Sequence, residues 1–167
     1  IAFDSARITH AHILGKEGAA LQALAVALAI STDSTIRLDI NGFLNQLQSF
    51  TGEAVYKEKL LAMPELLNHA EKPQVVQQLG NGIEAFTAVP AAIFSFLAYP
   101  NSFEKAVIFA ISLGGDTDTI GAMTGAISGA YLGIQAIPTK WLTKLENRKY
   151  IEALASDLFN LRTEGRL

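Results

Sequence analysis

The chain has 167 residues, half of them hydrophobic and 17% charged, with a mean hydropathy of +0.26; that much apolar surface offsets the entropy of ordering the chain and excludes a disordered tail. Cysteine is absent, which excludes disulfides, zinc–thiolate sites and thiol nucleophiles. Thirteen basic against sixteen acidic residues leave a net charge of −3, the opposite of what a phosphate-backbone binder carries, so no direct nucleic-acid binding is expected.

The chain opens on Ile1-Ala2-Phe3 without the basic stretch and apolar run of a signal peptide, and reads as a start inside a longer chain. Lys16 to Ile30 carries Ala20, Leu21, Leu24, Ala25 and Leu28 on one helical stripe and is interrupted by Thr32-Asp33-Ser34. Ile36, Ile40, Phe43, Leu44 and Leu47 predict a second helix stopped near Thr51-Gly52. Glu53 to Ala62 predicts a third, ending before Pro64. Pro73 opens a short helix that closes at Leu79-Gly80, and Gly80-Asn81-Gly82 is a tight turn. A helix from about Ile83, renewed near Pro90, reaches Leu97; Pro100-Asn101-Ser102 then stops and caps. Phe103 to Leu113 and Asp116 to Gly133 are the next two helices, separated by Gly114-Gly115, and Tyr150 to Leu161 closes the chain with Ile151, Leu154, Leu158 and Phe159 on one face. Seven to nine helices and no convincing strand make the fold all-α, a single domain over 1–167 or part of one.

Ile120 to Ile137 is uncharged and long enough to raise the question of a membrane span. It is built of Gly, Ala, Ser and Thr and follows two aspartates directly, so it is read instead as the central helix of the fold, with no membrane association. Gly121, Gly125, Gly129 and Gly133 form one ridge that lets another backbone approach closely. Each interior Gly costs about 1 kcal/mol relative to Ala, which close packing would offset. Ala122, Ala126 and Ala130 are expected to be buried.

The chemistry concentrates in Gly114-Gly115-Asp116-Thr117-Asp118-Thr119. Asp and Thr at a helix start satisfy free amides and suit its positive end. One cap suffices for that, whereas four oxygen-bearing side chains are present, and Asp116 and Asp118 repel unless a cation sits between them. Carboxylates and a hydroxyl are hard ligands of the kind magnesium or calcium takes. The residues alone leave cap and cation site open. Of the histidines, His10, His12 and His69 by themselves read as ordinary surface or core residues, Asn81-Gly82 as a turn, and Glu84 as an acid at a helix start.

The string Gly114-Gly115-Asp116-Thr117-Asp118-Thr119-Ile120-Gly121 resembles the C-terminal metal motif of the ADP-ribosylglycohydrolase family. Ile8-Thr9-His10-Ala11-His12 is similar to that family's Thr-His segment, and Gly18 to Val26 to the helix after it. Leu79-Gly80-Asn81-Gly82-Ile83-Glu84-Ala85-Phe86 with Val89-Pro90-Ala91-Ala92-Ile93 resembles most the branch that hydrolyses ADP-ribosyl-serine and poly(ADP-ribose). The family's Gly-Asp opening segment, its catalytic or gating Glu, its Thr-Asp-Asp metal motif and its Gly-rich phosphate loop have no counterpart, so the chain looks like the C-terminal half of such an enzyme.

The resemblance implies a compact orthogonal multi-helix fold and two magnesium ions, with Asp116, Asp118 and Thr119 as ligands and Asp118 bridging. It implies that His10, Asn81, Gly82 and Ile83 contact the ADP-ribose, and that this chain holds no catalytic residue beyond the metal ligands. The implied reaction is hydrolysis of the O-glycosidic bond at C1″ of ADP-ribose, in ADP-ribosyl-serine, poly(ADP-ribose) or O-acetyl-ADP-ribose. The implied partner is an ADP-ribosylated protein or ADP-ribose polymer, met by a monomer or by this chain paired with an N-terminal fragment. The implied setting is intracellular, in cytoplasm, nucleus or mitochondrial matrix, and linked to the DNA damage response. The alternatives are a catalytically inactive ADP-ribose-binding module or a helical scaffold.

Overall fold

Three helix starts in the computed structural model, which describes residues 1–69 and 71–163, carry a side-chain acceptor for the free amides of the first turn. Asp39 accepts from the Gly42 N–H at 2.9 Å, Ser102 from Lys105 at 3.3 Å, and the His12 ring from Leu14 at 3.2 Å. Among the described residues the chain forms ten α-helices, one 3-10 turn and no strand. They are α1 Ala2–Ala6, α2 Ile13–Ser31, α3 Ile40–Phe50, α4 Ala54–His69, α5 Lys72–Leu79, α6 Ala85–Ala98, α7 Phe103–Ser112, α8 Thr117–Leu132, α9 Thr139–Leu142 and α10 Arg148–Thr163, with the 3-10 turn at Ile134–Ala136. The chain divides into two compact units, Ile1–Ala136 and Ile137–Leu167. The first holds α1 to α8. In the second, Arg148 and Glu152 pair at 2.7 Å one turn apart on α10, and Ile151, Leu154, Leu158 and Phe159 are exposed.

The all-α expectation holds, with corrections at particular elements. α1 and α9 span five and four residues, too few for apolar periodicity to register. α3 begins at Ile40 rather than Ile36, because Asp33 turns the chain by accepting from the Thr35 N–H and hydroxyl at 2.8 and 2.7 Å. α4 does not stop before Pro64 but runs through it to His69. Tyr56, Leu60, Met63 and Leu66 make one buried stripe across the proline, and burying the far half outweighs the bond Pro64 cannot make.

The largest correction concerns the centre of the fold. Every residue from Ala88 to Leu97 on α6 is buried, as befits a helix apolar all round. The ring of Phe96 meets Phe43 at 5.7 Å and Tyr131 at 5.6 Å. α8 packs against α6, α7 and α2 through Ile120, Gly121, Thr124, Ile127, Ser128 and Tyr131. Its alanines lie elsewhere: Ala122 and Ala126 are exposed and Ala130 is half-buried. Gly121, Gly125 and Gly129 of the ridge face α7, and of these three only at Gly121 would a Cβ crowd its neighbour, at 2.9 Å from Ile111 Cγ2. At Gly125 and Gly129 the nearest atoms, on Phe103 and Val107, stand at 3.7 Å or more.

Two hydrogen bonds set directions. The Gln22 amide donates to the Met123 carbonyl at 3.0 Å, and the Tyr131 hydroxyl to the Ile36 carbonyl at 3.3 Å. α2 and α8 therefore run the same way, with their N-termini at one end of the first unit. α2 is also the one described helix long and apolar enough to cross a membrane by length and composition; in the fold it packs against α1, α6 and α8. The 120–137 stretch is instead broken after Leu132 by Gly133 at φ 78°.

Candidate functional site

α7 ends at Ser112, and two successive left-handed residues, Gly114 at φ 74° and Gly115 at φ 69°, turn the chain into α8. Glycine adopts this conformation without the steric cost other residues carry. Asp116 occupies the N-cap position of α8, yet its side chain makes no capping bond. The Asp116 side chain, and after it the amides of Asp118 and Thr119, hold the Asp118 carboxyl below the ordinary carboxylate range. Asp118 and Thr119 are exposed, so a ligand from solvent can reach them. No group of three or more His, Cys, Asp or Glu side chains stands ready for a metal among the described residues. The donors therefore fit part of a hard-cation shell: two carboxyls at one helix start and a hydroxyl on the following residue.

The Gly80–Glu84 loop lies directly against this turn. The Asp116 N–H donates to the Asn81 carbonyl at 2.8 Å, and the Asn81 side-chain amide donates to the Leu113 carbonyl at 2.8 Å. Asn81 thus clamps the Gly-Gly turn on both sides. A Cβ on Gly115 would sit on the Asn81 carbonyl oxygen, so a missing side chain is what lets the loops meet. Gly80, at φ 83°, ends α5 with no room for a Cβ beside Thr87, whose hydroxyl donates to the Gly82 carbonyl at 3.1 Å. Ile83, at the loop's outer edge, is 82% exposed.

The support beneath the loop comes from a residue that sequence analysis passed over. Lys59 on α4 donates to the Leu79 carbonyl at 2.8 Å and to the Phe86 carbonyl at 2.6 Å, with its ammonium 5.2 Å from the Phe86 ring centre. Phe86 is four residues before Pro90, so its carbonyl has no helical donor. Burial lowers the affinity of Lys59 for its proton, and the Glu84 carboxylate opposes that effect. The orphaned carbonyl was legible from Pro90; that a lysine 27 residues upstream of Phe86 serves it was not, because no local pattern links them.

His10 stands on a separate element. Its ring nitrogen Nδ1 lies 2.8 Å from the Thr9 hydroxyl, and its side chain covers the open face of Gly15 in the first turn of α2. One turn on, Gly18 faces Ala85 at the start of α6 and the Tyr56 ring. The start of α2 is fixed in turn: Tyr56 donates to the Leu14 carbonyl at 2.7 Å, and Glu17 accepts from Thr51 and the Gly52 N–H at 2.9 and 2.6 Å. Burial pushes the Tyr56 hydroxyl up, with the Glu17 and Glu53 carboxylates adding to the effect. The fold brings the start of α2, the start of α8 and the Gly80–Glu84 loop to one end. It bonds Asn81 to the Asp116 turn, while no hydrogen bond joins His10 to either loop among the described residues. His12 caps α2, and His69 is the last residue of α4.

The sequence model of the ADP-ribosylglycohydrolase family matches residues 1–166. The protein called ADP-ribosylhydrolase ARH3 is 38% identical in Homo sapiens, over 92% of this chain and 50% of its own length. Its Mus musculus counterpart is also 38% identical, over 96% of this chain and 50% of its own length. The ADP-ribosylarginine hydrolase Tri1 of Serratia proteamaculans is 33% identical over 56% of the chain and 25% of its own length. The chain spans about half the length of the ARH3 proteins it matches.

Proposed function

The chain belongs to the ADP-ribosylglycohydrolase family, and from that premise we propose that the complete protein hydrolyses the O-glycosidic bond at C1″ of ADP-ribose. Its substrates are ADP-ribosyl-serine, poly(ADP-ribose) or O-acetyl-ADP-ribose, presented on a modified protein or as polymer. The observation that carries this is the pair of hydrogen bonds by which Asn81 donates to the Leu113 carbonyl and accepts from the Asp116 N–H. They hold the Gly80–Glu84 loop against the helix start that carries Asp116 and the exposed Asp118.

Asp116, Asp118 and Thr119 would hold part of a two-magnesium site. When bound, such ions supply charge stabilisation for an oxocarbenium-like state and order the attacking water. The chain's own residues act around them. Asp116 and Asp118 bring negative charge to an exposed helix start. Asn81 fixes the height of the loop against them, with its side-chain amide committed to Leu113. Gly82 and Ile83 present backbone and an apolar edge to the ligand, and His10 approaches from the start of α2. None of these side chains is assigned to proton transfer.

The test is a magnesium-dependent release assay on ADP-ribosyl-serine peptide, with and without chelator. Chelator-sensitive release by the complete protein, lost in Asp118→Ala, supports the assignment; release that survives both treatments overturns it.

A further inference from the structure

We propose that Lys59 is a positioning residue for the substrate loop: its ammonium ties the two ends of the Gly80–Glu84 loop together and so sets Asn81, Gly82 and Ile83 against the Asp116 turn. The inference rests on the reading that this loop meets ADP-ribose, and assigns a residue that neither loop contains.

The geometry is a staple. Leu79 is the last residue of α5 and Phe86 the second of α6, so the two carbonyls that Lys59 engages at 2.8 and 2.6 Å bracket the loop. Neither carbonyl has a helical partner to fall back on. The Leu79 carbonyl belongs to the last turn of a helix, where four acceptors are left over, and the Phe86 carbonyl faces Pro90, which has no N–H. An ammonium, with three donors and no acceptor, suits two carbonyls converging on one point. The stem of Lys59 leaves α4 between Tyr56, Leu60 and Met63, which are fully buried, so the staple is anchored in the core rather than in another loop. From there rigidity passes outward through the Asn81 carbonyl to the Asp116 N–H, and through the Asn81 amide to Leu113. Loss of the ammonium leaves two carbonyls unpaired, frees both ends of the loop and loosens the contact between Asn81 and the Asp116 turn.

The experiment compares Lys59→Met, Lys59→Arg and Leu44→Ala in the complete protein. Leu44 is buried on α3, which packs against α4 and α2, and it makes no hydrogen bond to the staple, so it provides a loss of stability without removing the ammonium. Hydrogen exchange over residues 80–84 and 113–118, ADP-ribose affinity by calorimetry, and melting temperature are read for each. Lys59→Met should raise exchange in both loops and weaken ADP-ribose at least about tenfold. Lys59→Arg should recover most of both, and Leu44→Ala should lower the melting temperature with affinity and loop exchange near wild type. Unchanged loop exchange in Lys59→Met overturns the staple. Loosened loops with unchanged affinity, or equal losses of affinity in Lys59→Met and Leu44→Ala, overturn the positioning role. A wild-type protein that binds no ADP-ribose overturns the functional reading itself, and the exchange comparison then still reports separately on whether Lys59 holds the loops.

Discussion

Asp118 and Asn81 do different work on one turn, and substitutions should separate them. In the complete protein, the proposed magnesium site requires that Asp118→Ala lower magnesium-dependent release by more than about a hundredfold, while helix content by circular dichroism stays near wild type because an exposed carboxyl contributes little to the core. Asn81→Asp should act through stability instead. It sets a carboxylate oxygen against the Leu113 carbonyl that the amide now serves, a loss of about 1–3 kcal/mol by chemical denaturation. An Asn81→Asp protein as stable as wild type would show that the amide bond is dispensable. At this scale the sequence was legible in proportion to how local the chemistry is. The aspartates and the Asn-Gly pair announced themselves within ten residues, and the residues that position them did not. Lys59 and Thr87 act through backbone carbonyls, which any residue type provides, so no side-chain pattern marks them.

Among the elements, α8 divides cleanly into glycines that are needed and glycines that are not. Gly125→Ala and Gly129→Ala should each stabilise the fold by about 0.5–1 kcal/mol through helix propensity, since an added Cβ meets only ordinary contact with α7. Gly121→Ala should gain nothing, because its Cβ would crowd the branched Ile111. Denaturant melts of the three variants decide the matter, and three equal gains would refute the packing difference. Spacing alone showed four glycines on one ridge; how closely α7 approaches each depends on the crossing of two helices, which spacing does not encode. The prolines teach the same lesson. Pro64 looked like a boundary and Pro90 like a point where a helix is renewed, and each lies inside a helix, because buried residues on both sides outweigh one missing bond.

For the whole molecule, helix order and fold class were readable from apolar periodicity, whereas the identity of the central helix was not. α6 is buried on all sides and α8 is not, a difference that depends on what surrounds each helix. The incomplete donor set has a functional counterpart. Magnesium demands near-octahedral oxygen coordination, and two carboxyls with one hydroxyl leave most positions to water. The 167 residues alone should therefore show no chelator-sensitive release of ADP-ribose, and the complete protein should both turn over and gain thermal stability on magnesium titration. Robust turnover by the isolated chain would mean that its catalytic residues lie elsewhere.

The Gly-Gly turn also constrains the gene. Between them the four glycine codons are one base from codons for Ala, Ser, Arg, Cys, Asp, Glu, Val and Trp, and of these only Asp sits with any ease at positive φ. At Gly114 the nearest atom to an added Cβ is the Asn81 amide nitrogen at 3.7 Å, so an Asp or Asn there has room and a hydrogen-bond partner. At Gly115 the Asn81 carbonyl blocks any Cβ at all. A saturation library of the complete protein, sorted for fold and ADP-ribose binding, should thus return a short list of survivors at codon 114, while codon 115 drifts only among its synonyms.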